Sequence, residues 1–202
     1  MGSKQQDRIN EYFCKIILED ELKMGLYQIC DKPDLQNIND GIGVEVTGTE
    51  ENKSTGLTKQ YLSETNDQKR LKIRKKLEET GAIIVDKYDS VILLKILTPK
   101  FALNLINEKL EKLQKYKIFN KNCLIITTSL SVPKIEELQI LFRKIEDNQK
   151  LYNIKFDEIY LVDLNYIYIF DFKNNEIKVK QFTSYNDYLT KAKKKIKEKI
   201  NE

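Results

Sequence analysis

The sequence predicts an α/β fold, a central mixed β-sheet flanked by helices, on three observations. Short runs rich in β-branched and aromatic residues, such as CLIITT at 123–128, alternate with longer stretches of helical periodicity. Turn-forming Gly, Pro, Asn and Asp fall between them. Hydrophobic residues make up 41% of the 202 positions, enough for a core, and only 7 Gly and 3 Pro leave little room for linkers. At this length one domain spanning residues 1–202 is expected.

Taken in order, residues 7–24 are expected as a helix with Ile9, Phe13, Ile16, Ile17 and Met24 on one face. A short strand, Leu26 to Cys30, follows Gly25. Pro33, Asn37, Asn39, Asp40 and Gly41 mark turns, and Ile42 to Thr47 is an apolar strand. Residues 57–80 read as a polar helix closed by Gly81. Ile83 to Val85 and Val91 to Leu97 are β-like. Residues 100–117 form a second long amphipathic helix, and 123–128 a buried-type strand. Ser131 and Pro133 open a third helix, with Glu136 and Glu137 in its first turn and Ile135, Leu138, Leu141, Phe142 and Ile145 inside. Phe156 to Val162, Tyr166 to Phe172 and Glu176 to Phe182 are strands, the last two joined at Asn174-Asn175. Residues 186–200 are a Lys-rich helix. A core over about 7–128 and a C-terminal α/β extension over about 131–200 are expected.

Composition narrows the chemistry. Histidine is absent, which excludes a Ser-His or Cys-His nucleophile and His-ligated zinc. Cys14, Cys30 and Cys123 are scattered among apolar residues and read as reduced core residues, which suits a cytoplasmic protein. No long apolar run or signal-peptide pattern is present, so no membrane partner is expected. A net charge of +4 permits nucleic-acid binding without requiring it. Two runs are strongly basic: 66–76 (NDQKRLKIRKK) and the six lysines of 191–199. The second reads first as a solvated helix face, and alternatively as a phosphate contact that salt would weaken; two such runs flanking an acidic site would suit a DNA or RNA duplex. The tyrosines at 152, 160, 166, 168 and 185 read as strand or core residues, not as a base-stacking platform.

The segment that carries chemistry is Pro33-Asp34, followed eleven residues later (45 − 34) by Glu45-Val46-Thr47. Glu45 lies inside the apolar run Ile42 to Val46. A carboxylate there costs several kcal/mol unless a cation or donors compensate it. A divalent metal is the simplest compensation, because Mg²⁺ is held by one or two carboxylates and fills its shell with water and phosphate oxygens. Such a metal can activate water against a phosphodiester.

With that spacing in view, the segment resembles the signature of the PD-(D/E)xK nuclease superfamily, the restriction-endonuclease-like fold. There an acid-bearing helix precedes a strand, then Pro-Asp, then an acid-x-Lys strand, then a helix. The order is matched over roughly residues 7–128, but Thr47 stands where the superfamily has Lys. The resemblance implies a restriction-endonuclease-like core that hydrolyses DNA with Mg²⁺ or Mn²⁺, in restriction, mobile-element defence or repair. It also implies a metal held by Asp34, Glu45 and the Val46 carbonyl. A homodimer is suggested by the same analogy.

In the superfamily the lysine can migrate to a neighbouring helix. On the 100–117 helix, Lys109 falls in the apolar stripe of Phe101, Ala102, Leu105, Ile106, Leu113 and Tyr116, where it must snorkel or meet an acid. Lys112 stands four residues before Tyr116, an arrangement similar to the Gln-x-x-x-Tyr motif of some branches. Spacing does not choose between Lys109 and Lys112, and Tyr116 reads first as a core aromatic. The first helix should add an acid. Glu11 fits the resemblance; Glu19 and Asp20 compete, and the helical wheel favours Asp20. The alternative to a nuclease is a silent module of the same fold that binds nucleic acid or a protein.

Overall fold

Residues 3–49, 51–79, 82–87, 90–95, 97–128, 130 and 132–200 are described by the computed structural model. Gly81 and Ser131, expected at helix boundaries, lie outside that set. The chain opens with α1 (Ser3–Ile16), which starts earlier than its apolar periodicity suggests. The helix then widens into a π-helical turn, Ile17–Glu21. There the Leu22 amide donates to the Ile17 carbonyl, five residues back.

The short strands β1 (Gln28–Ile29) and β2 (Leu35–Asn37) and the longer β3 (Ile42–Gly48) form an antiparallel edge. Asn37, expected in a turn, belongs to β2. Its side chain donates to the Met24 carbonyl and to Asp40, so a turn-forming residue serves the strand end. After β3 come α2 (Glu51–Ser63) and α3 (Asp67–Glu79), where one helix over 57–80 was expected. The break falls at 64–66, and Asn66 caps α3 by accepting from the Lys69 amide at 3.1 Å. Next comes a hairpin of β4 (Ala82–Lys87) and β5 (Ser90–Lys95), which forms its own two-stranded sheet.

Helix α4 (Pro99–Leu113) starts on an N-cap at Thr98 and Pro99 at its first turn. The remainder is β6 (Lys121–Thr127), α5 (Ile135–Gln149), β7 (Glu158–Val162), β8 (Tyr166–Asp171), β9 (Glu176–Gln181) and α6 (Tyr185–Ile200). Strand order in the main sheet is β1-β2-β3-β6-β7-β8-β9. β3, β6 and β7 pair in parallel and the other pairs are antiparallel, so the sheet is mixed.

The sheet separates two cores, and alternation along each strand assigns residues to them. On one face Val44, Val46, Cys123 and Ile125 pack with α1 and α6 through Ile9, Phe13, Ala192 and Ile196. On the other, Leu124, Ile126, Ile159 and Leu161 pack with α4 and α5 through Ile106, Leu110, Leu138 and Leu141. Covering both faces explains why β6 reads as an unbroken apolar run. The arm between β3 and α4 has its own small core of Tyr61, Leu77 and Ile84. Among the described residues no helix is long and apolar enough to cross a membrane.

Candidate active site

The register of β2 on β3 brings the two predicted acids together. Leu35 pairs with Val44, so the next antiparallel step sets Asp34 opposite Glu45. Asp34 Oδ2 accepts from the Val46 backbone N–H at 2.8 Å, which fixes its carboxylate against β3. Pro33 is buried beside the bare Cα of Gly43. A Cβ there would come within 2.9 Å of Pro33 Cγ and 2.7 Å of the Phe119 ring. This glycine lets the Pro-Asp segment sit flat on β3.

Glu45 points to the α4 face, opposite its neighbours Val44 and Val46, and is 4% exposed. From α4, the Lys109 ammonium donates to Glu45 Oε1 at 2.7 Å and to the Val46 carbonyl at 3.2 Å. Lys109 thus meets an acid and does not snorkel outward; its side chain is only 13% exposed. Thr47, two residues beyond Glu45, is on the same strand face. Glu45 therefore meets its cation from helix α4 and not from its own strand.

Glu45 Oε2 is buried with no hydrogen-bond partner among the described residues. Burial first, and then the charges of Glu45 and Asp34, push the Tyr116 hydroxyl up to about 12. Tyr116, expected as a core aromatic, packs half-buried against the core between the sheet and α4, from just past the end of α4, and lies within the field of both acids. The reach of a turn residue beyond a helix end is what the 100–117 helical wheel conceals.

Electrostatics tie Glu11 to the pair. Burial and then the neighbouring Asp34 charge raise Glu11 to about 7. Asp34 is raised to about 6, by burial first and then by Glu45, while the Val46 N–H and Lys109 pull the other way. The α1 helix that carries Glu11 is pinned to β6 by Asn10, which accepts from Thr127 Oγ1 at 2.8 Å.

Two of the other candidates have partners of their own, Lys112 while also within the field of Glu45 and Asp34. Lys112 pairs with Glu108 at 2.8 Å, one helical turn back, and its side chain is about half exposed. Glu19 is held by Lys15 and by the Tyr27 backbone N–H, so it closes a loop. Asp20, favoured by the helical wheel, is exposed. The π-helical turn is the reason: it changes the angular step after Ile16 and takes Asp20 off the apolar face.

The oxygens present suit a hard divalent cation. The Glu45 and Asp34 carboxylate oxygens and the Val46 carbonyl are the donor types Mg²⁺ takes, and Glu45 Oε2 has no hydrogen-bond partner among the described residues. Among the described residues no cluster of three or more His, Cys, Asp or Glu side chains stands close enough to hold a metal. A shallow groove of about 520 Å³ between α5 and the β8–β9 turn shares no residue with this site. Comparison of the chain with protein-family models, with curated proteins and with solved structures found no match.

Proposed function

We propose that the chain is a metal-dependent nuclease that hydrolyses phosphodiester bonds of DNA, with a core like that of the PD-(D/E)xK enzymes it resembles. One observation carries this reading: Asp34 is held on β3 by the Val46 N–H within the field of Glu45, and an ammonium from α4 rests on Glu45 at 2.7 Å. Asp34, Glu45 and the Val46 carbonyl are the residues that would hold Mg²⁺ or Mn²⁺. Bound there, the cation supplies positive charge for the phosphate and acidifies a water. Lys109 orients the attacking water and steadies charge on the phosphate oxygens. Glu11 stands behind Asp34 as a further acid that accepts hydrogen bonds from water at the site. Restriction, mobile-element defence and repair are the settings the resemblance suggests.

A second reading, a silent module that binds nucleic acid or a protein partner, is favoured by one feature. Lys109 already neutralises Glu45, and the Val46 N–H already serves Asp34, so the pair persists without a metal. Nicking of supercoiled plasmid in Mn²⁺ separates the two. The nuclease reading expects nicking by the wild type and a loss of about 100-fold or more in Asp34→Ala, Glu45→Ala and Lys109→Ala. A wild type that binds nucleic acid but cuts neither DNA nor RNA leaves the silent module.

A further inference from the structure

The arm formed by α2, α3, β4 and β5 is inserted between the two elements that build the site. It leaves β3 three residues after Glu45 (48 − 45) and rejoins the body at Thr98, the cap of the helix that carries Lys109. Between Lys69 and Lys76, α3 has six basic residues and no acid.

The structure divides those six by role. The Arg70 guanidinium lies 4.8 Å from the centre of the Tyr61 ring. Arg74 pairs with Glu78 at 2.9 Å and donates to the Ile84 carbonyl. With Ile73 and Leu77 the two arginines form the inner face of α3, against the arm's own core. Lys69, Lys72, Lys75 and Lys76 point to solvent, and none has an ion-pair partner among the described residues. Residues 69, 72 and 76 follow the spacing of one helix face, with Lys75 beside them. They make a stripe about 10 Å long. Duplex DNA carries one charge per about 1.7 Å of axis, so such a stripe can meet several phosphates.

The rival basic surface is α6. That helix packs on α1, and there Lys191 lies over the Tyr188 ring and Lys194 pairs with Glu198, so two of its lysines are already engaged.

We infer that the outer face of α3 is a contact for the phosphate backbone of a double-stranded nucleic acid lying across the acid pair, made by Lys69, Lys72, Lys75 and Lys76. The proposal rests on the nuclease reading for where the duplex lies, and its test reads binding without cleavage. Arginines hold the arm together and lysines meet the ligand, so the contact is one of charge, with no base readout.

The test is fluorescence anisotropy of a short labelled DNA duplex in EDTA over a series of salt concentrations. The proteins are wild type, a variant with all four lysines changed to Gln, and an α6 variant (Lys193→Gln with Lys195→Gln). The four-lysine variant is expected to bind at least tenfold more weakly at about 0.1 M salt, with a log–log salt slope shallower by about 3 to 4. The α6 variant should keep wild-type binding. Lys72→Glu alone, checked for an unchanged melting temperature, should lower the slope by about 1 and covers the case in which the multiple variant does not fold. Wild-type affinity and slope in the lysine variants, or a wild type that binds no duplex at low salt, overturns the proposal. Duplex binding through α3 without nicking keeps the contact and ends the nuclease reading. Nicking with an unchanged KM in the four-lysine variant does the reverse.

Discussion

Removing the Lys109 ammonium leaves the Glu45 carboxylate buried without its only ion-pair partner among the described residues. Lys109→Met should therefore destabilise the protein by about 3 kcal/mol at pH 8, as expected when one member of a buried pair is lost. Urea unfolding measures this; a cost near zero would mean the pair is solvated. Asp34 gives a pH signature. The fold raises it from 3.8 to about 6, so the fold favours its neutral form. Its contribution to stability is fully present below about pH 4 and is lost as pH rises through about 6. Glu11, raised to about 7, adds in the same direction. Without divalent cations, stability should fall across this window, and Asp34→Asn should flatten the profile in urea titrations at stepped pH. A bound cation would displace these protons, so calorimetric titration with Mn²⁺ near pH 6.5 should release protons to the buffer, and Asp34→Asn should release fewer. At this scale the sequence shows much. A carboxylate inside an apolar strand and a lysine inside an apolar helical stripe are two anomalies that answer each other. It does not show that Asp20 turns outward, because helical phase assumes an unbroken α-helix, or that Tyr116 meets the acids from beyond the helix end.

Helix α4 has a definite beginning, and that beginning sets where Lys109 arrives. Thr98 accepts from the Phe101 amide at 3.3 Å, and Pro99 fixes the first turn. Thr98→Ala should cost about 1 kcal/mol of stability, read from the urea midpoint, with most of the secondary structure retained. Gly43 performs the matching service on β3. Gly43→Ala puts a Cβ into Pro33 and Phe119, both buried, so the Pro-Asp segment must lift from the strand. Plasmid nicking should then fall more than stability does; equal losses would argue that Gly43 serves packing alone. Most strands and helices were legible because their apolar patterns match one face or both. The three-residue β2 was not, since Asn37 signals a turn in any local reading and only pairing with β3 makes it a strand. The break between α2 and α3 was hidden because both flanks are polar and only the Asn66 cap marks it.

Across the whole molecule the two cores and the arm differ in support. Leu124 and Ile125 are adjacent, fully buried and face opposite cores. Truncating either to Ala should cost about 2 to 4 kcal/mol, and the two losses should resemble each other if both faces unfold together. The arm relies on Tyr61, Leu77 and Ile84, so backbone amides of α3 should exchange hydrogen well before those of β6. Equal protection in a native-state exchange experiment would contradict that. The general layout, a mixed sheet between helices, followed from alternating patterns. The separate hairpin of β4 and β5 did not, since sequence alone cannot say which sheet a strand joins. One consequence follows from the acids standing on a strand while their ammonium stands on a helix. The spacing of two layers, filled by Ile106, Leu110 and Leu124, decides how far Lys109 sits from Glu45. A methyl group added or deleted in that dry interior, with no polar atom altered, would retune the centre as surely as an exchange of one of its charged groups.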